Sequence, residues 1–203
     1  MDTILFRWVN NLAKHTTWAH SIVKAFAVYG IAVFAVLLLT AWWQARSSED
    51  PATAVAAVAW AAIAPLIGVA AVQAIGSIVD RSRPYDAITN VLVLVDKTKD
   101  SSFPSDHATA AAAVVAGLWL VGRQMGSNRQ ASIAIGAALL LAFSRVYVGA
   151  HYPGDVIGGL ALGTIVAVVG APLTRVVLSP VAKWMARTPA RPLITSTSCS
   201  VTL

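Results

Sequence analysis

From Pro51 to Val79 the chain runs without one charged side chain, and Ala25 to Trp43 and Val156 to Thr174 are built the same way. A helix crosses the hydrocarbon core with about 20 apolar residues. Inside that core every backbone polar group must be satisfied within its own segment. Several such runs in one chain leave a helical bundle in lipid as the architecture. Composition agrees: 57% of residues are hydrophobic and 12% charged, against about 25% charged in soluble domains. The sequence therefore predicts an all-α integral membrane protein, a helical bundle of about five transmembrane helices plus an N-terminal interfacial helix. Residues 1–178 form a single membrane domain, and 179–203 form a flexible cytoplasmic tail. The net charge of +6 is no nucleic-acid signal, because the basic residues sit singly in loops with no aromatic-interleaved stripe. Cys199 is the single cysteine and cannot form an internal disulfide, and no Cys or His spacing resembles a zinc site.

Met1 to Lys14 is amphipathic, with Ile4, Leu5, Trp8, Val9 and Leu12 on one face, and is too short to span. It is expected to lie flat in the interface or to pack on the spans. The predicted spans are Ala25–Trp43, Pro51–Val79 with a kink at Pro65, Ser105–Gly122, Gln130–Val148 and Val156–Thr174. Asp80 to Phe103 is the longest polar connection. Its apolar middle, Ala87 to Val95, reads as a short helix or lid, and Asp96 and Asp100 read as a solvated loop. His15 and His20 read as cap or interface residues.

Five crossings put Arg81, Arg83, His107, Arg145, His151 and Asp155 on one membrane face. Arg46, Arg123, Arg129, Arg175, Lys183, Arg187 and Arg191 fall on the other. The excess of basic residues there marks the cytoplasmic side, so the ionisable cluster is expected to face away from the cytoplasm. Ionisable residues at span ends mark a functional site.

Two histidines, one aspartate and three arginines at helix ends suit phosphoryl transfer. Asp155, four residues after His151, is placed to accept a hydrogen bond from one ring nitrogen and leave the other free as a nucleophile. His107 on another helix is suited to general acid catalysis. Ser105 reads as an N-cap whose helix aims backbone N–H groups at a phosphate. Arg83 and Arg145 are suited to clamp phosphoryl oxygens. Asp106 beside them is expected to turn toward an arginine or cap the helix, and to tune the site for a diphosphate.

These stretches together resemble the type 2 phosphatidic acid phosphatase superfamily, and within it the undecaprenyl-diphosphate phosphatases of the bacitracin-resistance type. Ser144, Arg145, His151 and Asp155 match that family's Ser-Arg, His, Asp motif, and Pro104-Ser105-Asp106-His107 resembles its Pro-Ser-Gly-His motif. The first motif is partial. Arg83-Pro84 is present, but the lysine expected seven positions earlier is Gly76, and Arg81 is the expected substitute, ahead of Lys97 or Lys99. The resemblance implies a metal- and cofactor-free lipid phosphatase acting through a phosphohistidine on His151. It implies a polyprenyl diphosphate as substrate, with Arg83, Ser105, Asp106, Arg145 and Arg81 around the phosphate. A phosphatidylglycerophosphate or phosphatidic acid phosphatase is the alternative within the family, and a non-catalytic lipid-phosphate binder or transporter is the alternative outside it.

Overall fold

The computed structural model describes residues 1–196. Among them there is no β-strand. The helices are α1 (Asp2–His15), α2 (His20–Tyr29), α3 (Ile31–Ala45), α4 (Pro51–Val79), α5 (Pro84–Ala87), α6 (Asp106–Met125), α7 (Arg129–Tyr147), α8 (Pro153–Val169) and α9 (Ser179–Met185). By length and apolar composition α4, α6 and α7 are each long enough to cross a membrane. Two bent pairs raise the total to as many as five: α2 with α3, bent by 51°, and α8 with the segment from Thr174 to Met185, bent by 44°. The chain is a multi-pass membrane protein.

Local chemistry sets the ends. Asp50 caps α4 by accepting from the Thr53 N–H at 3.2 Å, and Pro51 occupies the first helical position, where no N–H is needed. Gly126 ends α6 in the left-handed conformation, φ 68°, which a glycine adopts without a Cβ penalty. Inside the bundle, α6 is the hub and packs most extensively on α8 and α4. Gly159 and Gly163 of α8 face the Ser105 and Thr109 carbonyls so closely that a Cβ at either would collide with backbone. Lacking a hydrophobic drive between helices in lipid, small residues gain stability by letting backbones approach. This seam fixes the spacing between the starts of α6 and α8, where His107 and Asp155 lie.

Three expectations change. The predicted span Ala25–Trp43 is interrupted at Gly30, where α2 meets α3. The predicted tail from residue 179 is folded through the last described residue. It forms α9, buries Ile194, accepts from the Trp42 indole at the Leu193 carbonyl (3.0 Å), and donates from the Ser196 N–H to the Arg46 carbonyl (2.9 Å). An apolar helix face beneath the spans explains why: buried Ala182 and Ile194 join the main hydrophobic core with Ala52, Val55 and Leu37. Cys199 lies outside the described residues. Finally, Ala87–Val95 is not a helix beyond Ala87. It is irregular chain tied down by Asn10 of α1, whose amide donates to the Leu92 carbonyl (2.8 Å) and accepts from the Leu92 N–H (3.0 Å).

Helix α1 turns Phe6, Asn10 and Ala13 inward and leaves Ile4, Leu5, Trp8 and Leu12 exposed. The outward apolar face and the polar inward contact at Asn10 suit a helix lying between lipid and protein.

Candidate active site

His151 lies in the short connection between α7 and α8 and is almost fully buried. Its Nδ1–H donates to the Ser102 carbonyl at 2.8 Å, and its Nε2 lies 3.2 Å from a terminal nitrogen of Arg83. A carbonyl can only accept and a guanidinium can only donate, so these partners fix the tautomer: Nδ1 carries the proton and Nε2 presents its lone pair. Burial pushes the imidazole below its ordinary pKa. The nearby Asp155 carboxylate opposes this, and the Arg145 and Arg83 charges add to it.

The ring is therefore oriented, but by a different group from the one expected. Asp155 Oδ2 lies 3.8 Å from His151 Nδ1, beyond hydrogen-bond reach. Its oxygens are taken by the Ser102 hydroxyl, the Tyr152 N–H at 2.8 Å and a terminal nitrogen of Arg81 at 2.6 Å. Asp155 is the third residue of α8, and its bond to the Tyr152 N–H makes it half of a capping box. Ser102 is the residue that sequence reasoning missed. Its carbonyl holds the histidine and its hydroxyl holds the aspartate, from a loop position that no periodicity marks.

Arg83 is buried and held rigidly. It donates to the Asp100 carbonyl (3.2 Å), the Asp100 carboxylate (3.0 Å) and the Ala150 carbonyl (3.1 Å). Asp100, expected as solvated loop, is thus the ion-pair partner of a site arginine. A cavity of about 250 Å³ opens in front of these groups, lined among others by Gln73, Gly76, Arg83, Lys99, Asp106 and His151.

The remaining expected residues are placed less uniformly. Arg81 does not line this cavity. Its guanidinium is divided between Asp155 and Asp2, and the cation that does line the cavity beside Gly76 and Arg83 is Lys99. Arg145 is buried, is not among the residues lining the cavity, and donates to the Ala27 carbonyl at 3.2 Å, while its Nε has no partner among the described residues. Ser105 is fully buried at the start of α6. Its hydroxyl makes no cap bond and has no partner among the described residues, and its N–H donates to the Asp155 carbonyl at 3.0 Å. Among the described residues Asp106 makes no bond to an arginine and instead helps cap its own helix, the second of the two expected arrangements. Its Oδ1 accepts from the His107 N–H (2.7 Å) and from His107 Nδ1 (2.8 Å), which leaves the His107 Nε2 outward on a partly exposed ring. Among the described residues no three His, Cys, Asp or Glu side chains gather as a metal site.

A membrane bundle that presents an unprotonated imidazole nitrogen to a fixed guanidinium is built as a phosphatase. The chain belongs to the PAP2 superfamily, whose model matches residues 55–177 and so takes in every site residue described above except Asp2. Undecaprenyl-diphosphatase BcrC of Bacillus subtilis (strain 168) is 31% identical over 166 residues, covering 82% of this chain and 80% of that protein. Two solved structures share the fold. The crystal structure of Aquifex aeolicus LpxE superposes with a TM-score of 0.63 at 22% identity, over 84% of this chain and 94% of that one. The first transmembrane PAP2 type phosphatidylglycerolphosphate phosphatase from Bacillus subtilis gives 0.63 at 18% identity, over 85% and 86%.

Proposed function

We propose that the protein removes the terminal phosphate of a polyprenyl diphosphate, recycling the lipid carrier of cell-wall synthesis on the outer side of the plasma membrane. The observation that carries this reading is the His151 ring, fixed at Nδ1 by Ser102 and turning the lone pair of Nε2 toward Arg83 on the charged cavity. The long match to an undecaprenyl-diphosphatase supports the substrate class. The basic residues gathered at the opposite helix ends support the orientation.

In the mechanism, His151 Nε2 attacks the terminal phosphorus and forms a P–N bond. The P–O bond to the retained phosphate breaks, its electron pair going to the leaving oxygen, which takes a proton from His107. Water then attacks phosphorus and gives its proton to His107, while the P–N bond breaks, its electron pair returning to His151 Nε2, and inorganic phosphate is released. Arg83 and Lys99 from the cavity wall, with Arg145 and the start of α6 at Ser105, supply the positive potential that the phosphoryl oxygens need in the transition state. No step requires a metal. Asp106 acts through His107, holding Nδ1 so that Nε2 carries the transferable proton, rather than touching the phosphate.

The test is phosphate release from a purified polyprenyl diphosphate in detergent with EDTA present, with phosphatidic acid as a competing substrate. EDTA-resistant release that His151→Ala abolishes is expected. Preferential release from phosphatidic acid would move the substrate to the glycerophospholipids. Absence of release from any lipid phosphate by folded protein would sink hydrolysis and favour a binding or transport role.

A further inference from the structure

Arg81 joins two distant parts of the chain. One terminal nitrogen donates to Asp155 Oδ1 at 2.6 Å and the other to Asp2 Oδ2 at 2.6 Å. The remaining oxygen of Asp2 accepts from the Gly154 N–H at 2.8 Å. The guanidinium lies over the Tyr152 ring, 4.1 Å from its centroid. Arg81 thus meets the start of α8 at the Tyr152 ring and the Asp155 carboxylate, and Asp2, in the first turn of α1, holds Arg81 and meets α8 directly at the Gly154 amide. Asp155 is fully buried, whereas Arg81 and Asp2 are 32% and 29% exposed, so the clamp reaches from the protein edge to the core of the site. A carboxylate taken wholly out of water needs a charged partner, and among the described residues Arg81 is the cation bonded to this one.

We propose that Asp2 and Arg81 are positioning residues, an ion-pair clamp through which α1 holds Asp155 and the 151–155 turn in register behind the His151 nucleophile. The clamp rests on the reading of His151 as nucleophile. It assigns Arg81 a role distinct from phosphate binding. It also gives α1 a catalytic purpose besides lying at the membrane surface. Asp2 works only through Arg81 and the Gly154 amide, since it does not reach the cavity.

The experiment uses the full chain in detergent and two oxyanions, so no choice of lipid enters. Orthovanadate bonds to the nucleophilic nitrogen and imitates the five-coordinate transition state, and inorganic phosphate binds without that bond. Arg81→Gln is expected to weaken vanadate binding by about 10- to 100-fold, as loss of a supporting partner typically does. Asp2→Asn is expected to weaken it less. Both should leave the affinity for inorganic phosphate unchanged. Arg81→Lys should recover part of the loss, and the double variant Asp2→Asn/Arg81→Gln should be no worse than Arg81→Gln alone. Equal weakening of vanadate and phosphate by Arg81→Gln would make it a phosphate ligand and overturn the clamp. So would unchanged vanadate binding in folded Asp2→Asn and Arg81→Gln. Wild-type vanadate binding that survives His151→Ala would sink the nucleophile assignment itself, and the clamp with it.

Discussion

The two histidines of the site stand in opposite surroundings. His151 is buried, with both ring nitrogens engaged by Ser102 and Arg83, and it is backed by Asp155, Arg81 and the first turn of α1. His107 stands at the mouth of α6, a quarter exposed, held through one nitrogen by the residue next to it in the chain. A nucleophile must meet phosphorus along one line, so its ring is worth fixing from several sides. A proton carrier serves two oxygens in turn, the leaving group and then water, and gains from a ring that keeps some freedom and contact with solvent. The chain spends its buried polar groups on the first and leaves the second to a local pair.

This contrast orders the expected effects. His151→Ala should reduce phosphate release by about 10⁴-fold or more if, as proposed, His151 forms the covalent intermediate. Comparable residual turnover would break the contrast at its root. His107→Ala should cost about 10²- to 10⁴-fold on a lipid phosphate, and visibly less on an aryl phosphate whose leaving group needs no proton. Equal losses on the two substrates would remove its acid role. Ser102→Ala keeps the carbonyl on His151 but strips a hydroxyl from Asp155, so a loss in kcat of about tenfold with KM preserved is expected. The pH profile sharpens the same point. Burial lowers the pKa of His151, and the neutral ring is the reactive form, so activity should persist below the ordinary histidine value of about 6.5 and fall only through the lower, folded-state pKa. An acid limb of kcat/KM at or above that value would contradict a buried nucleophile. Smallest is Asp106→Gly, expected to slow diphosphate and monophosphate lipids equally, by about threefold to tenfold, because it loosens His107 and not the substrate. A selective loss on diphosphates would return Asp106 to the phosphate.

The bundle was largely legible because hydrocarbon imposes one rule along a whole segment. Pro51–Val79 is read off the sequence to the residue, and the ends of α6 and α7 fall close to their predicted places. The break at Gly30 was not, because apolar composition continues unchanged through it. The folded 179–196 segment was hidden by its polar and proline-containing composition, which says nothing of the hydrophobic groove that Ile194 fills. Within the site, the histidines and Arg83 stood out because charge is costly beside apolar runs. Their partners did not. Ser102 acts through a backbone carbonyl and a hydroxyl in a polar loop, and Asp2 meets Arg81 across most of the sequence. The bond expected between Asp155 and His151 failed for the same reason: spacing fixes that two residues are near, and a third decides which atoms pair.

The cavity in front of His151 is small and charged, at about 250 Å³, which is below the usual size of a pocket that encloses a drug-sized ligand. Its charged lining suits a phosphorylated head, and the isoprenoid chain of the proposed substrate would be left among the acyl chains outside it. This cavity would then carry no ruler. Discrimination by tail length passes to the bilayer, which sets how long each lipid resides at the surface and how its head is presented. Short, water-soluble prenyl diphosphates should then reach the same turnover number as the long natural carriers and differ chiefly in the concentration needed to reach it.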